Sequence, residues 1–328
     1  MHMAKHISIL VPEGAILGSL EGSRQIFTQV DSFFTARGED SVFTVELVGL
    51  TPTTRLTGGI FTANHRTIAD VARTDLIIIP ALDGDLTEAI ERNRDFIPWI
   101  VNQHKRGAEV ASLCLGAFLL ASTGLLMGKR CATHWMATDQ FRAMFPDVEL
   151  VTEKIITDDG GLYSSGGAFS YLNLILYLIE KYVGHDMAVL AAKVFAIEIE
   201  RESQLSFTIF QGQKGHDDAP IRQAQDFIEK NYSEKMSVDQ LSSMLAIGRR
   251  AFERRFKKAT ANTVNEYIQR VKIEAAKKSL ESSRKNVTDA MYDVGYSDTK
   301  AFRTTFKKFT GLSPLEYRAK YNKLAVGV

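Results

Sequence analysis

The sequence predicts a two-domain chain, in which an α/β domain with a largely parallel sheet precedes an all-α domain with two helix-turn-helix motifs. Two observations lead to this prediction. In the first two thirds, short apolar runs alternate with helical patterns, and in the last third the sequence repeats itself at a spacing of 50 residues. Residues 251–260 align with 301–310, and the register continues to Tyr267 and Tyr317. A length of 328 residues with 45% apolar content suffices for two ordinary cores.

The first domain is predicted from apolar runs that are hydrophobic on both faces, as in strands buried between two layers of helices. These runs lie at 7–11, 42–48, 76–80 and 109–113. Helical patterns lie at 22–37, 86–104, 116–126, 171–182 and 185–199. Because helices separate the strands, they are expected to cover both faces of the sheet and to form a three-layer sandwich.

Cysteine content and hydropathy indicate the compartment. Cys114 and Cys131 are the only cysteines and lack disulfide-framework spacing, which suits a reducing cytoplasm. The uncharged stretch 110–128 approaches membrane-spanning length, but it contains Gly, Ser and Thr and has no strongly basic flank. We therefore predict a buried strand–turn–helix there, no membrane association, and a cytoplasmic, nucleoid-associated protein.

Cys114 lies where the fourth strand turns directly into a helix, with Gly116 just after it. Such a turn can hold a nucleophile, and a helix N-terminus lowers a thiol pKa by favouring the thiolate. His134 follows at the end of another predicted strand. Cys114 and His134 are therefore a candidate nucleophile–base pair, although each residue type is also common in ordinary cores.

Residues from about 6 to 200 resemble the PfpI-like, class I glutamine-amidotransferase-like superfamily. The resemblance rests on the elbow 112–121, the run 124–129, the triplet 133–135 and the segment 165–168. It implies a flavodoxin-like three-layer α/β sandwich, often dimeric, with a ligand pocket around the elbow cysteine. The candidate pocket residues are Ser19, Cys114, Leu115, His134 and Gly166.

The sequence departs from the enzymatic members of that superfamily at one position. Those enzymes have a carboxylate beside the thiol, and Ser19 occupies the corresponding position here. Without that acid the thiol lacks its usual partner for proton transfer. We therefore expect a non-catalytic ligand-binding domain with no catalytic residue. Two alternatives stay open: a cysteine-dependent PfpI-like hydrolase or glyoxalase that carries a DNA-binding tail, and a purely structural or dimerising domain.

Other site chemistries find no support in the sequence. No phosphate-binding glycine motif follows a strand, and the histidines and cysteines show no metal-ligand spacing. We expect neither a cofactor nor a metal.

The distribution of charge divides the chain near residue 219, between the alternating strand and helix patterns and the repeated segment. Residues 219–328 contain 22 of the 40 Lys and Arg but only 12 of the 39 Asp and Glu, so the rest of the chain is acidic. This asymmetry indicates a polyanionic partner for the second part. Residues 211–220 combine Gly, Pro and charge without periodicity. The predicted limits are 5–203 for the first domain, 204–219 for a linker and 220–325 for the second domain.

The second domain is predicted to contain the same motif twice. Ser237 and Gln240 form a capping box before the first motif, whose second helix, 249–259, is anchored by Phe252 and Phe256. In the second motif a helix from 287 leads through Gly295 and a cap at Ser297 to a helix over about 298–309, anchored by two further Phe. A helix over 264–281 would hold the two recognition helices at a fixed separation. This is the arrangement of helix-turn-helix elements that enter the major groove.

The outward residues of both recognition helices are candidate DNA contacts. Three arginines of the first helix and Lys300 are expected to read guanine edges, Glu253 to accept from cytosine, and the paired lysines to contact phosphates. The full set is Arg249, Arg250, Glu253, Arg254, Lys257, Lys258, Thr299, Lys300, Arg303, Thr304, Lys307 and Lys308.

Residues 220–325 resemble the DNA-binding domain of the AraC/XylS family, most clearly at 254–258, 294–298 and 302–318. The whole chain resembles the GlxA-type branch of that family. The resemblance implies two helices in successive major-groove segments on one DNA face. Ala261 and Val264 replace the Gly and Pro that end the first recognition helix in the family, so Asn262 is expected to supply the left-handed residue.

The predicted function is that of a sequence-specific transcriptional regulator controlled by a small metabolite. Double-stranded DNA, an unidentified effector and a second copy of the chain, paired through the first domain, are the expected partners, and RNA polymerase is a possible further one. Constitutive DNA architecture with an inert dimerising domain is a third hypothesis.

Overall fold

The structure is a computed structural model that describes residues 4–56, 59–199 and 203–322. It divides into two compact units, Met1–Gln204 and Leu205–Val328. The domain limits given above stay predictions, and residues 323–325 lie outside the described part. Most of the segment predicted as a linker falls in the second unit, because its apolar residues pack there: Phe210 meets Tyr267 with ring centroids 5.1 Å apart.

The first unit is built on a seven-stranded sheet with two small two-stranded sheets beside it. In chain order the strands are β1 Lys5–Leu10, β2 Phe43–Gly49, β3 Thr53–Leu56, β4 Phe61–Asn64, β5 Arg66–Thr67, β6 Leu76–Ile79, β7 Glu109–Leu113, β8 Arg130–Cys131, β9 Glu149–Leu150, β10 Ile156–Asp158 and β11 Leu162–Ser165.

The main sheet has the order β10-β11-β7-β6-β1-β2-β5. Every neighbouring pair is parallel except β10 and β11. From β1 the chain moves to β2 on one side and then crosses to β6 on the other. The strand order therefore reverses between β1 and β6, and such a switch point leaves a crevice at the carboxyl ends of the strands.

Seven α-helices lie in the described part of this unit: α1 Leu17–Thr35, α2 Leu86–Arg92, α3 Phe96–Lys105, α4 Ala117–Ser122, α5 Thr138–Met144, α6 Tyr171–Val183 and α7 His185–Val194. They cover both faces of the sheet, because alternate strand residues enter two separate cores. Ile7 and Ile9 pack with α1, α6 and α7, whereas Leu10 and Ile77 pack with α2 to α5. The α/β sandwich predicted from the sequence is confirmed.

Four helix predictions in this unit were wrong in extent. Helix α1 begins at Leu17 rather than at 22, and α7 ends at Val194 rather than at 199. The pattern over 86–104 forms two helices, because Pro98 lacks an N–H and its ring disfavours helix in the preceding turn. At the break, the buried amide of Asn93 donates to the carbonyls of Glu13 and Ala89. The helix expected over 116–126 ends at Ser122, since Gly124 has a φ of 76°.

The second unit is helical throughout its regular elements: α8 Ala219–Lys230, α9 Val238–Met244, α10 Arg249–Thr260, α11 Val264–Ser282, α12 Val287–Asp293, α13 Thr299–Thr310 and α14 Pro314–Tyr321. Helices α9 and α10 form the first motif, α12 and α13 form the second, and α11 connects them. Each motif has its own apolar cluster, one around Phe252 and Phe256 and one around Phe302 and Phe306.

The caps of these helices confirm one prediction and correct two. Ser237 and Gln240 form the expected capping box. The cap of α13 is Asp298 rather than Ser297, because the Asp298 carboxylate accepts from the N–H groups of Lys300 and Ala301. The left-handed residue after α10 is Ala261, with a φ of 55°, and not Asn262. No helix within the described ranges is long and apolar enough to cross a bilayer.

Candidate functional site

The turn after β7 has the tight geometry expected of an elbow. Cys114 has a φ of 53°, in the left-handed region that a residue with a side chain rarely occupies. A Cβ at Gly116 would lie 2.4 Å from the Pro80 carbonyl oxygen, so only glycine fits there. The left-handed backbone of Cys114 and the close packing of Gly116 against Pro80 together place the thiol at the carboxyl edge of the sheet.

The surroundings of the Cys114 thiol nevertheless oppose its activation. The residue is 4% exposed, and burial raises its pKa to about 11 against a smaller opposite effect of the Leu115 N–H. Because the thiolate is the reactive form, this shift opposes nucleophilic chemistry. The lowering expected from the helix N-terminus is therefore wrong, since desolvation of the charged form outweighs it.

Three of the other pocket candidates lie close to the elbow. The Thr133 hydroxyl donates to the Cys114 carbonyl at 3.0 Å, which places the neighbouring His134 beside the elbow. A Cβ at Gly166 would lie 2.9 Å from the Thr133 carbonyl oxygen. Leu115 continues the elbow turn itself.

The polar side chains of the predicted pocket are largely occupied by local bonds. His134 Nδ1 accepts from the Met136 N–H, as the cap of a short helical turn, and burial lowers the pKa of His134. The buried Ser19 hydroxyl donates to the Ile16 carbonyl and accepts from the Ala81 N–H. These bonds give both side chains an ordinary structural role, and their part in ligand binding stays a prediction.

A cavity of about 1040 Å³ opens at the same edge of the sheet, by the switch point between β1 and β6. Its lining comes from the segments after β1, β2 and β6 and from α2 and α3, and it includes none of the five predicted pocket residues. Charges of both signs line it: Glu13, Arg55, Asp83, Arg92 and Asp95. Sequence reasoning missed it because five segments distant in the chain form it.

The two recognition helices are near copies in three dimensions. Both α10 and α13 have 12 residues and end in a left-handed residue, Ala261 or Gly311. In each, two Phe side chains four residues apart lie in the core with ring centroids 5.7 Å apart. Anchoring by these rings leaves the remaining faces of both helices to solvent.

The predicted DNA-contacting residues lie on those outer faces. All of them are exposed except Glu253, which is half-buried. Arg249 is held by ion pairs to Asp239 and Glu253, at 3.0 and 3.6 Å. Within the described ranges, no ion pair engages Arg250 or Arg254, so these two guanidinium groups are free to meet another partner. Whether each side chain contacts a base or a phosphate stays a prediction.

Comparison with known proteins agrees with this architecture. Residues 32–181 match the DJ-1/PfpI family, and residues 241–320 match a helix-turn-helix domain family. The chain is 26% identical over 215 residues to the HTH-type transcriptional regulator ArgR of Pseudomonas aeruginosa, a match that covers 65% of each chain. It therefore spans less than two thirds of that relative's length.

Two further proteins resemble parts of the chain. An isonitrile hydratase of Pseudomonas putida is 34% identical over 127 residues, which is 38% of this chain and 52% of the enzyme. A solved structure of an AraC family transcriptional regulator from Pseudomonas putida covers 58% of this chain and 99% of its own, with a TM-score of 0.50 and 14% identity, and so shows the fold alone. The chain is thus similar to the DJ-1/PfpI family over residues 32–181 and to helix-turn-helix domains over residues 241–320.

Proposed function

We propose that the protein is a sequence-specific DNA-binding transcriptional regulator. The observation that carries this proposal is the duplication of an exposed basic helix, α10 and α13, on two buried Phe anchors. Two helices of this kind can enter successive major-groove segments of one duplex. The similarity to a curated transcriptional regulator over 215 residues supports the same function.

In this proposal the outward residues divide their roles by position. Arg250 and Lys300 lie near the leading ends of their helices, and Arg254 lies about one turn further along α10; these three side chains are proposed to reach base edges. The lysine pairs 257–258 and 307–308 lie in the last turns, where they suit phosphate oxygens. On binding, Arg249 would give up its ion pairs with Asp239 and Glu253 and contact DNA instead. DNA binding would therefore rearrange this small network.

The proposed effector is a small metabolite bound in the first unit, which is not an enzyme in this proposal. The cavity of about 1040 Å³ by the switch point between β1 and β6 offers room for it. Control of transcription requires that the metabolite bind one arrangement of the protein more tightly than another. Pairing of two copies through the first unit, contact with RNA polymerase and a cytoplasmic, nucleoid-associated location belong to the same proposal.

Cysteine-dependent catalysis is the second candidate function. The left-handed backbone of Cys114 and the resemblance to an isonitrile hydratase favour it. The pKa of about 11 for the Cys114 thiol and the serine at position 19 oppose it, because neither a thiolate nor an adjacent acid is provided.

Binding of full-length protein to random duplex libraries tests the main proposal. Selection should enrich sequences with two short conserved elements, and affinity for them should fall steeply as salt rises. Failure to enrich any sequence, together with salt-insensitive or absent retardation, would refute it. A thermal-shift screen of metabolites then tests the effector, and stabilisation by no compound would favour an inert dimerising domain.

A further inference from the structure

The two helix-turn-helix motifs meet at a buried lysine of the connecting helix. Lys272 on α11 is only 8% exposed. In the part of the chain that the structure describes, no carboxylate forms an ion pair with it. Its Nζ donates to the Val294 carbonyl at 2.8 Å and to the Glu234 carbonyl at 3.3 Å. Val294 ends α12 of the second motif, and Glu234 precedes α9 of the first. One ammonium group therefore bonds both to the second motif and to the loop that leads into the first motif.

The backbone of the second motif also touches the loop before the first motif at this point. Gly295, in the turn of the second motif, has a φ of 75°. A Cβ there would lie 2.0 Å from the Ser233 carbonyl oxygen, which belongs to the loop before the first motif. Gly295 is thus required both by its left-handed conformation and by the contact.

Aromatic side chains extend this contact to both cores. Tyr232 packs against the apolar clusters of both motifs. The Lys272 ammonium lies 5.8 Å from the ring centre of Tyr296, which in turn meets the recognition-helix anchor Phe302 edge to face at 5.4 Å. A substitution of Lys272 would thus alter the packing of Tyr296 against Phe302, in the first turn of α13.

We propose that Lys272, with the contact between Gly295 and Ser233, fixes the angle between α10 and α13 and so sets the spacing of the two DNA elements that the protein accepts. This inference rests on the proposed DNA-binding function. Lys272 is a positioning residue in this role, since it contacts no DNA itself. A buried ammonium keeps its place only while its carbonyl partners satisfy it, so both motifs are held in one relative orientation.

A rigid pair of helices has a sharp dependence on spacing. One turn of B-DNA takes about 10 base pairs, so each inserted base pair rotates the second element away from the first as well as separating them. When both motifs are held rigidly, binding of one motif to its DNA element gives the other motif a high effective concentration at the second element. This holds only when the two elements have one particular spacing. Motifs joined loosely bind less tightly at that spacing but tolerate others.

The test measures affinity of the full-length protein for duplexes from the selection described above, with zero, one, two or five base pairs inserted between the two elements. For the wild type we expect a loss of at least about tenfold on inserting one or two base pairs. For Lys272→Met, which keeps the side-chain length and removes the ammonium, the same insertions should change affinity by less than about threefold. Lys272→Arg should restore the wild-type dependence.

Lys278→Met is the matched control. Lys278 lies exposed on the same helix, so its loss removes an equal charge without touching the contact. This variant should keep the wild-type spacing dependence. Gly295→Ala perturbs the contact from the other side and should flatten the dependence as Lys272→Met does.

Each outcome decides the proposal. If either Lys272→Met or Gly295→Ala is folded and keeps the wild-type dependence, the proposal is wrong. If both abolish the helical signal of the protein, the contact maintains the fold rather than the spacing, and the proposal is equally wrong. If the wild type selects no DNA, the proposed function fails instead, and that result is distinguishable from the other two.

Discussion

Phe256 and Tyr267 meet edge to face with ring centroids 5.3 Å apart, and Phe306 and Tyr317 repeat this contact at 5.4 Å. Each pair joins a recognition helix to the helix that follows it. Thr260 and Thr310 complete the repeat, since each hydroxyl donates at 2.8 Å to the carbonyl four residues earlier. The repeat in the sequence therefore corresponds to a repeat in packing, because each recognition helix contacts the following helix through the same pair of aromatic residues.

The first prediction concerns the Phe anchors. Phe256→Ala and Phe306→Ala each remove a fully buried ring, and we expect each to lower the free energy of unfolding of the second unit by about 3–5 kcal/mol. Urea denaturation followed by circular dichroism measures this loss. Leu315→Ala is the control, because Leu315 is 68% exposed and its loss should have little effect. Equal stability of the anchor variants and the control would contradict the assignment of these rings to the core.

The second prediction concerns the left-handed caps. Ala261 adopts a φ of 55° without the advantage of glycine, so Ala261→Gly should raise the free energy of unfolding by about 1 kcal/mol. Gly311→Ala introduces the same strain after α13, where φ is 73°, and should lower the free energy of unfolding by a similar amount. Thermal unfolding of both variants provides the measurement. A change of the same sign in the two variants would show that backbone strain does not control these positions.

The third prediction separates base reading from phosphate contact, and it depends on the proposed function. Arg250→Ala should weaken binding to a selected site by about 1–3 kcal/mol and relax the preference at one base position. Lys258→Ala should weaken binding to all sequences alike and reduce the slope of log affinity against log salt by about 1. Both side chains are exposed, so neither change should alter the stability of the fold. Identical effects of the two substitutions on sequence preference would argue against the assigned roles.

The fourth prediction concerns the pH dependence of Cys114. With a pKa of about 11, only about one thiol in ten thousand is ionised at pH 7, so alkylation by iodoacetamide should be slow and should accelerate up to about pH 11. Mass spectrometry of the labelled peptide follows the rate, and Cys131→Ser removes the signal of the other buried thiol. An inflection near the ordinary value of about 8.5 would contradict the raised pKa, and only an inflection well below that value would support the enzymatic alternative.

The raised pKa of Cys114 also makes the free energy of unfolding depend on pH, and it should fall as the pH rises. The native thiol binds its proton more tightly than the unfolded thiol, whose pKa is about 8.5. The contribution of the protonated thiol to stability is therefore complete below about pH 8.5 and is lost as the pH rises towards 11. Cys114→Ala should remove this part of the alkaline loss, as measured by urea denaturation at pH 8 and pH 10.

The helical motifs were predictable from the sequence because their signals are local. Two Phe four residues apart identify the buried face of each recognition helix, and Ser237 with Gln240 identifies the start of α9. The error at Ala261 was also local in origin. Asn tolerates the left-handed region better than Ala does, but α10 ends at Thr260, so the left-handed position directly after it falls on Ala261.

Features that depend on distant segments could not be predicted in this way. Lys272 follows Val271 and precedes Ile273, and in sequence a lysine at such a place resembles a solvated residue. Its burial depends on two carbonyls 38 and 22 residues away. The pKa of Cys114 was misjudged for a similar reason, since the local helix terminus was visible in the sequence and the surrounding burial was not.

The separate apolar clusters of the two motifs have a consequence for how such a protein diverges. A substitution that alters the surface of α13 leaves the packing around Phe252 and Phe256 intact. If the protein binds DNA as proposed, α13 and the DNA element that it contacts can therefore change together while α10 keeps its own contacts. A change of target would then pass through forms that still recognise one of the two elements.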